Sequence, residues 1–133
     1  VALPAARVAP WLRVSDPALR QAALEIARPS GVDVVDVRLL LMDPDVAVHR
    51  VAMIVLAEDG EVSVHAMLAK EMKADPCHRG LEAMADFADE DAVIYLGRIA
   101  RSHPDWCEAI GDLLDSIEHP KAAVVRASLP RPA

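Results

Sequence analysis

Cysteine and histidine side chains are the groups in this chain whose chemistry could include a covalent or metal-bound step. Cys77 is followed directly by His78, and His103 lies one helical turn before Cys107. A thiol activated by an imidazole is a common catalytic nucleophile. Neighbouring residues on a helix project about 100° apart, however, so Cys77 and His78 do not form such a dyad by themselves. We interpret both cysteines as structural free thiols of a reducing compartment, because two cysteines do not make a disulfide-dense pattern.

The same side chains decide whether a metal site is expected. A structural zinc site usually shows a tight ligand pair such as Cys-x-x-Cys, and the sequence has none. It therefore predicts no metal and no cofactor, although seven residues have ligand chemistry: His49, His65, Cys77, His78, His103, Cys107 and His119.

Three acidic residues are each followed, four positions later, by arginine or histidine. At that spacing two side chains can meet on one face of a helix, so we interpret these pairs as structural rather than catalytic. The pairs are Asp16 with Arg20, Asp45 with His49, and Asp75 with Arg79. The other acidic clusters, 89–91 and Asp112 with Asp115, are expected to be solvated surface.

Composition limits the class of protein. Apolar residues make up 53% of 133 residues, so the chain is expected to bury a core, and this core is mostly alanine, valine and leucine. The formal net charge of -7 opposes binding to duplex nucleic acid and favours a basic partner protein. No apolar run is long enough to span a bilayer, and the first residues lack a signal-peptide pattern. We therefore expect a cytoplasmic protein that does not bind a membrane.

Helices are predicted to position these residues. Asp16-Pro17 and Asp75-Pro76 should each begin one, because an N-cap Asp accepts first-turn N–H bonds and proline is tolerated next. Apolar residues then recur at helical spacing, and 45–57 is apolar nearly all round, as expected for a buried helix. The predicted helices are 5–14, which is either kinked or short because it contains Pro10, and 16–27, 45–57, 61–73, 75–87, 92–102, 104–117 and 121–129. The secondary structure of segment 32–42 is ambiguous, because its valines favour a strand whereas its place in the period favours a helix.

The acidic helix starts recur about every 30 residues, which indicates a repeat protein. The pattern Asp-x-x-apolar-Arg-x-x-Ala-apolar is complete at 16–24, and at 45–53 histidine replaces arginine. At Asp75 only the beginning fits, and near His103 both Asp and Arg are missing. This pattern resembles the HEAT repeat in its short bacterial form, the PBS-lyase type.

The resemblance implies an all-α fold, a right-handed α-solenoid of about four and a half HEAT-like helical hairpins in one domain, 1–133. The repeats would be 5–29, 31–59, 61–88 and 90–117, followed by a half repeat, 119–129. It also implies that the three charged pairs form a ladder between adjacent repeats. The unpaired last helix would leave an apolar edge that a second copy could cover, which makes a homodimer an expectation.

The same resemblance implies a non-catalytic scaffold or adaptor that binds a partner protein through its second helices. Two columns of positions on those helices should face the partner: Gln21, Arg50, Gly80 and Glu108, and Glu25, Ile54, Met84 and Asp112. Trp106 either anchors the partner, as tryptophan often does, or caps the last hairpin. Alternatives are an enzyme subunit, since some family members are bilin lyase subunits, and a toxin-neutralising immunity protein. A DNA-repair role is opposed by the charge.

Overall fold

The structure is a computed structural model that describes residues 5–27 and 37–130. All regular secondary structure in these two ranges is helical, which confirms the all-α prediction. The chain divides into two compact units, 1–64 and 65–133.

The described part of the first unit contains α-helices and 3₁₀ helices. The α-helices are α1 (Ala5–Val8), α2 (Pro17–Ala27) and α3 (Val46–Glu58), and the 3₁₀ helices are Ala9–Arg13, Leu39–Met42 and Val62–Val64. Helix α2 packs against α3 and against Ala9–Arg13, while α3 also packs against Leu39–Met42. The α-helix that begins at Ala5 ends at Val8, and the chain continues as a 3₁₀ helix from Ala9, next to Pro10.

Helix α3 is the buried centre of the first unit, as its composition predicts. Asp45 is its N-cap, and the carboxylate accepts a hydrogen bond of 3.1 Å from the Val48 N–H. At the other end Gly60 has a φ of 81°, and the Glu61 N–H bonds back to the Leu56 carbonyl at 3.0 Å. This is a Schellman ending, which requires the left-handed conformation that glycine adopts without strain.

Arg20 forms a different ion pair from the predicted one. Its guanidinium bonds to both carboxylate oxygens of Asp43, at 2.8 and 3.0 Å, rather than to Asp16. Asp16 instead accepts from the Ala18 N–H at 2.9 Å, and His49 donates from Nδ1 to the Leu41 carbonyl at 2.7 Å rather than to Asp45. The predicted pairs at these two places are therefore wrong, because each Asp is occupied by its own helix start.

Asp43 is held ionised by these contacts. Burial raises the pKa of Asp43, but the hydrogen bonds from Arg20 and from the Asp45 N–H, with attraction to Arg20 and His49, lower it below its ordinary value. The pair joins α2 to the residue that follows Leu39–Met42. It therefore fastens two predicted repeats, although through another carboxylate than expected.

Segment 32–42 is described only from Val37 onwards. Val37 and Arg38 are helical and Leu39–Met42 is a 3₁₀ helix, so the strand alternative is wrong for this part. Residues 32–36 lie outside the described ranges. Within the 3₁₀ helix Leu40 is buried, whereas Leu39 and Met42 are exposed.

The described part of the second unit, 65–130, contains five α-helices. They are α4 (His65–Ala74), α5 (His78–Ala85), α6 (Glu90–Ser102), α7 (Cys107–Asp115) and α8 (Pro120–Ser128), with a 3₁₀ turn at Pro104–Trp106. Helix α6 packs against both α4 and α8, and α5 packs against α7. The core of this unit is formed by apolar side chains, among them Leu68, Met72, Leu81, Leu96 and Ile110.

The helix starts of this unit differ in part from the predicted ones. The Asp75 N–H still bonds to the Glu71 carbonyl at 2.9 Å, so Asp75 ends α4 and does not begin α5. Cys77 is the N-cap of α5, with its Sγ accepting from the Gly80 N–H at 3.4 Å. Asp89 caps α6 through a 2.8 Å bond from the Ala92 N–H, so it is exposed but structural.

Candidate protein-binding surface

Five exposed carboxylates lie on the neighbouring helices α5 and α7, at the C-cap of α5 and in the 3₁₀ turn before α7, and we call this region the acidic surface. Its residues are Glu82, Asp86, Asp105, Glu108 and Asp112. Within 5–27 and 37–130 none of these five side chains has an ion-pair or hydrogen-bond partner. The acidic surface is therefore a region of negative charge that the unit itself does not neutralise.

Helical spacing groups four of these carboxylates into two pairs. Glu82 and Asp86 are one turn apart, as are Glu108 and Asp112, so each pair lies on the same face of its helix. The opposite faces of α5 and α7 are buried through residues such as Leu81, Met84, Ile110 and Leu114. The amphipathic pattern of both helices therefore turns the carboxylates to solvent.

Trp106 and His78 form an aromatic contact beside these carboxylates. Their ring centroids are 4.8 Å apart with an interplanar angle of 57°. Trp106 is half-buried and His78 is exposed, so part of the indole faces solvent. Trp106 thus packs on the preceding hairpin and still presents a surface, which leaves both of its predicted roles open.

The other predicted partner-binding residues are not brought together in the same way. Met84 has 0% exposure, so it cannot touch a partner unless the core opens, and its role as a contact residue is wrong. Ile54 and Gly80, from the same columns, are also buried. In the first unit Gln21 and Arg50 are half-buried and Glu25 is exposed, and both charged residues have polar interactions of their own.

An apolar groove in the first unit was not predicted. It lies between α1 and α2 with a volume of about 320 Å³, and Trp11, Leu19 and Ile26 line it. Trp11 is 52% exposed, although it occurs at helical spacing from buried Val8 and Leu12. Val8 and Leu12 are covered by the fold, whereas Trp11 lines the groove and is partly exposed to solvent.

His65 is a buried imidazole in the second unit. Its ring stacks on Phe87 with centroids 4.1 Å apart, and its edge contact with Tyr95 is 5.3 Å. The residue is 4% exposed, and Nε2 has no hydrogen-bond partner. Burial lowers the pKa of His65 below its ordinary value, while Asp89 and Asp91 act in the opposite direction.

The thiols and imidazoles do not assemble into a metal or catalytic site in the described part of the chain. No group of three or more potential ligands occurs in 5–27 and 37–130. Cys107 is buried and donates to the Ala100 carbonyl at 3.5 Å, while half-buried Cys77 contacts the Met72 sulfur at 3.8 Å. His103 donates from Nε2 to the Lys73 carbonyl. Each of these three groups thus has a structural contact.

Comparisons with known proteins identified no relative of this chain. No family model, no curated protein and no solved structure matches the chain. Among the described residues, every helix is too short or too polar to cross a bilayer.

Proposed function

We propose that this chain is a non-catalytic, cytoplasmic protein-interaction module whose acidic surface binds a basic segment of a partner protein. The observation that carries the proposal is the set of five exposed, unpartnered carboxylates on α5, α7 and the residues next to them, the same two segments that form the Trp106 and His78 contact. Such a surface attracts a cationic partner over distances of about a Debye length and offers an aromatic anchor at close range.

The energetic cost of this surface supports a functional reading. Like charges one helical turn apart destabilise a helix by about 0.2–0.5 kcal/mol per pair, and the acidic surface has two such pairs. Asp86 and Asp112 also lie near the C-terminal ends of α5 and α7, where the helix dipole disfavours negative charge. Local stability gives no reason for this arrangement, whereas binding of a basic partner gives one.

The proposal includes the HEAT-like solenoid. Packing within 65–133 supports it, because first helices contact first helices (α4, α6 and α8) and second helices contact second helices (α5 and α7). In HEAT-like repeats the second helices form the binding side, and the acidic surface lies on the second helices of this unit. Membership of the HEAT family is part of the same proposal.

The proposal is tested by capturing partners with the chain and with charge-reversed variants. We expect a stoichiometric basic partner to bind the wild type, and binding to fall at least about tenfold for Glu108→Lys with Asp112→Lys. Glu118→Lys is the matched control, because Glu118 is exposed and lies outside the acidic surface. Titration calorimetry with the purified partner measures the change. Equal binding by all variants, or no partner at all, would contradict the proposal.

A further inference from the structure

A second charged region of the same unit has the opposite sign. Between α4 and α6 lies a groove of about 200 Å³, which we call the basic groove. Its rim carries Lys70 and Lys73 from α4 and Arg98 from α6, and its lining includes Tyr95, Ala69 and Ile99. It shares no residue with the acidic surface.

The three cations of the groove are unpartnered. Acidic residues outnumber Lys and Arg by 21 to 14 in this chain, so a surface cation has many carboxylates from which to draw a partner. Lys121 does contact Glu90, and Arg126 contacts Asp115 at 3.4 Å. In contrast, within 5–27 and 37–130 no carboxylate or hydrogen-bond acceptor pairs with the side chains of the three groove cations.

Helix dipoles explain only part of this positive charge. Lys73 lies in the last turn of α4, where a cation complements the partial negative charge of the helix end. Lys70 and Arg98 lie before the last turns of their helices, where that effect has fallen off. The dipole account therefore leaves two of the three cations unexplained.

The shape of the groove selects the kind of ligand. A volume of about 200 Å³ is smaller than the roughly 300–1,000 Å³ typical of small-molecule sites. Its buried floor, Ala69 and Ile99, is apolar and suits one or two aliphatic side chains. Lys70 and Lys73 are three residues apart, which is about one helical turn. Carboxylates one turn apart on a bound helix would have the same spacing.

We propose that the basic groove binds an acidic amphipathic helix of a partner protein, with an apolar residue on the floor and carboxylates on the three cations. Single-stranded nucleic acid fits less well. It needs exposed aromatic platforms, whereas Tyr95 is half-buried with its ring against His65. The proposal does not depend on the acidic surface, so either can fail alone.

The test uses a fluorescein-labelled helical peptide with leucine on one face and glutamate on both flanks. Fluorescence anisotropy at low salt should show saturable binding, and NMR shifts should include the amides of Ala69 and Ile99. Lys70→Glu with Lys73→Glu, and separately Arg98→Glu, should weaken binding about tenfold or more. These residues are exposed, so the variants should stay folded. Arg101→Gln is the control, because Arg101 is on α6 but bonds to Ser128.

Each other outcome overturns the proposal. Binding would not depend on the groove cations if a peptide with glutamine in place of glutamate bound equally well. The same conclusion would follow if Arg101→Gln lost binding while the groove variants kept it. Tighter binding of oligothymidylate than of the acidic peptide would indicate a nucleic-acid site. Self-association of the unliganded chain that Lys70→Glu with Lys73→Glu abolishes would indicate a second copy as the occupant.

Discussion

Replacing His65 by phenylalanine should make the second unit more stable and should remove a loss of stability on acidification. The imidazole stacks on Phe87, so a benzene ring can keep the same apolar contact. The imidazole of His65 also has a buried Nε2 atom without a hydrogen-bond partner, and phenylalanine has no such polar atom. The substitution therefore removes a polar atom and a titration together.

The magnitude follows from these two effects. A buried, unsatisfied polar group costs about 1–3 kcal/mol, so His65→Phe should gain up to that amount at neutral pH, less any cost of fitting a larger ring. Because burial lowers the pKa of His65 in the folded state, the unfolded chain binds more protons once the pH falls below the ordinary value of 6.5. Wild-type stability should thus be constant above that pH and decrease below it, by about 1.4 kcal/mol for each unit of pKa difference.

Urea unfolding followed by Trp106 fluorescence measures this, in a Trp11→Phe background so that only the second unit reports. Wild type and His65→Phe are compared between neutral and mildly acidic pH. Asp91→Asn is the directional control, because it removes one of the two carboxylates that raise the pKa of His65 and should deepen the acid-side loss. The same acid-side loss in wild type and His65→Phe would refute the reasoning, and so would a large destabilisation of both His65→Phe and His65→Leu at neutral pH.

Three further substitutions test the packing of both units. Asp43→Asn should destabilise the first unit by about 3–5 kcal/mol in urea unfolding, because it leaves the largely buried Arg20 guanidinium without its ion pair; a loss below 1 kcal/mol would mean that the pair is solvated. Ala88→Gly should stabilise by about 1 kcal/mol, since Ala88 has a φ of 51° that glycine adopts more easily; a lower thermal midpoint would contradict this. Gly97→Ala should destabilise by about 1–3 kcal/mol despite its better helix propensity, because its Cβ would lie 2.7 Å from the branched Val125 side chain; an unchanged midpoint would show that α6 and α8 can separate there.

Local signals in the sequence located several helices well. The prediction of 45–57 lies within one residue of α3, because an N-cap aspartate, a continuous apolar run and a terminal glycine all agree. The predicted start at Asp75-Pro76 is wrong, although it also offers an aspartate for a helix start. There the Asp75 N–H bonds to the Glu71 carbonyl of α4, and α5 begins at His78 with Cys77 as its N-cap. The sequence does not show that the N-cap of α5 is Cys77, two residues after this aspartate.

Long-range contacts account for the errors in the site. Spacing alone pairs Arg20 with Asp16, whereas in the fold the guanidinium reaches Asp43, which offers both carboxylate oxygens. The two columns of partner-facing positions were taken at the same distance from each predicted helix start. If a start is shifted by one residue, every position of that helix turns by about 100°, which is enough to bury a position such as Met84. Glu108 and Asp112 are exposed as expected, because their helix has a clear amphipathic pattern. The basic groove could not be found from the sequence, since its cations come from two helices.

The basic groove and the acidic surface lie on different helices of the second unit, and their unpaired charges have a measurable consequence. The three groove cations lie on α4 and α6, and the five carboxylates of the acidic surface lie on α5, α7 and the residues next to them. Exposed ion pairs contribute only about 0–1 kcal/mol to stability, so leaving these groups unpaired costs the fold little. Charges that become buried against a partner interact more strongly and also speed association. Raising the salt concentration to about 0.5 M should therefore weaken binding at both surfaces while changing the free energy of unfolding only slightly. If salt lowered stability as much as binding, the charges would be serving the fold, and neither surface would be a binding site.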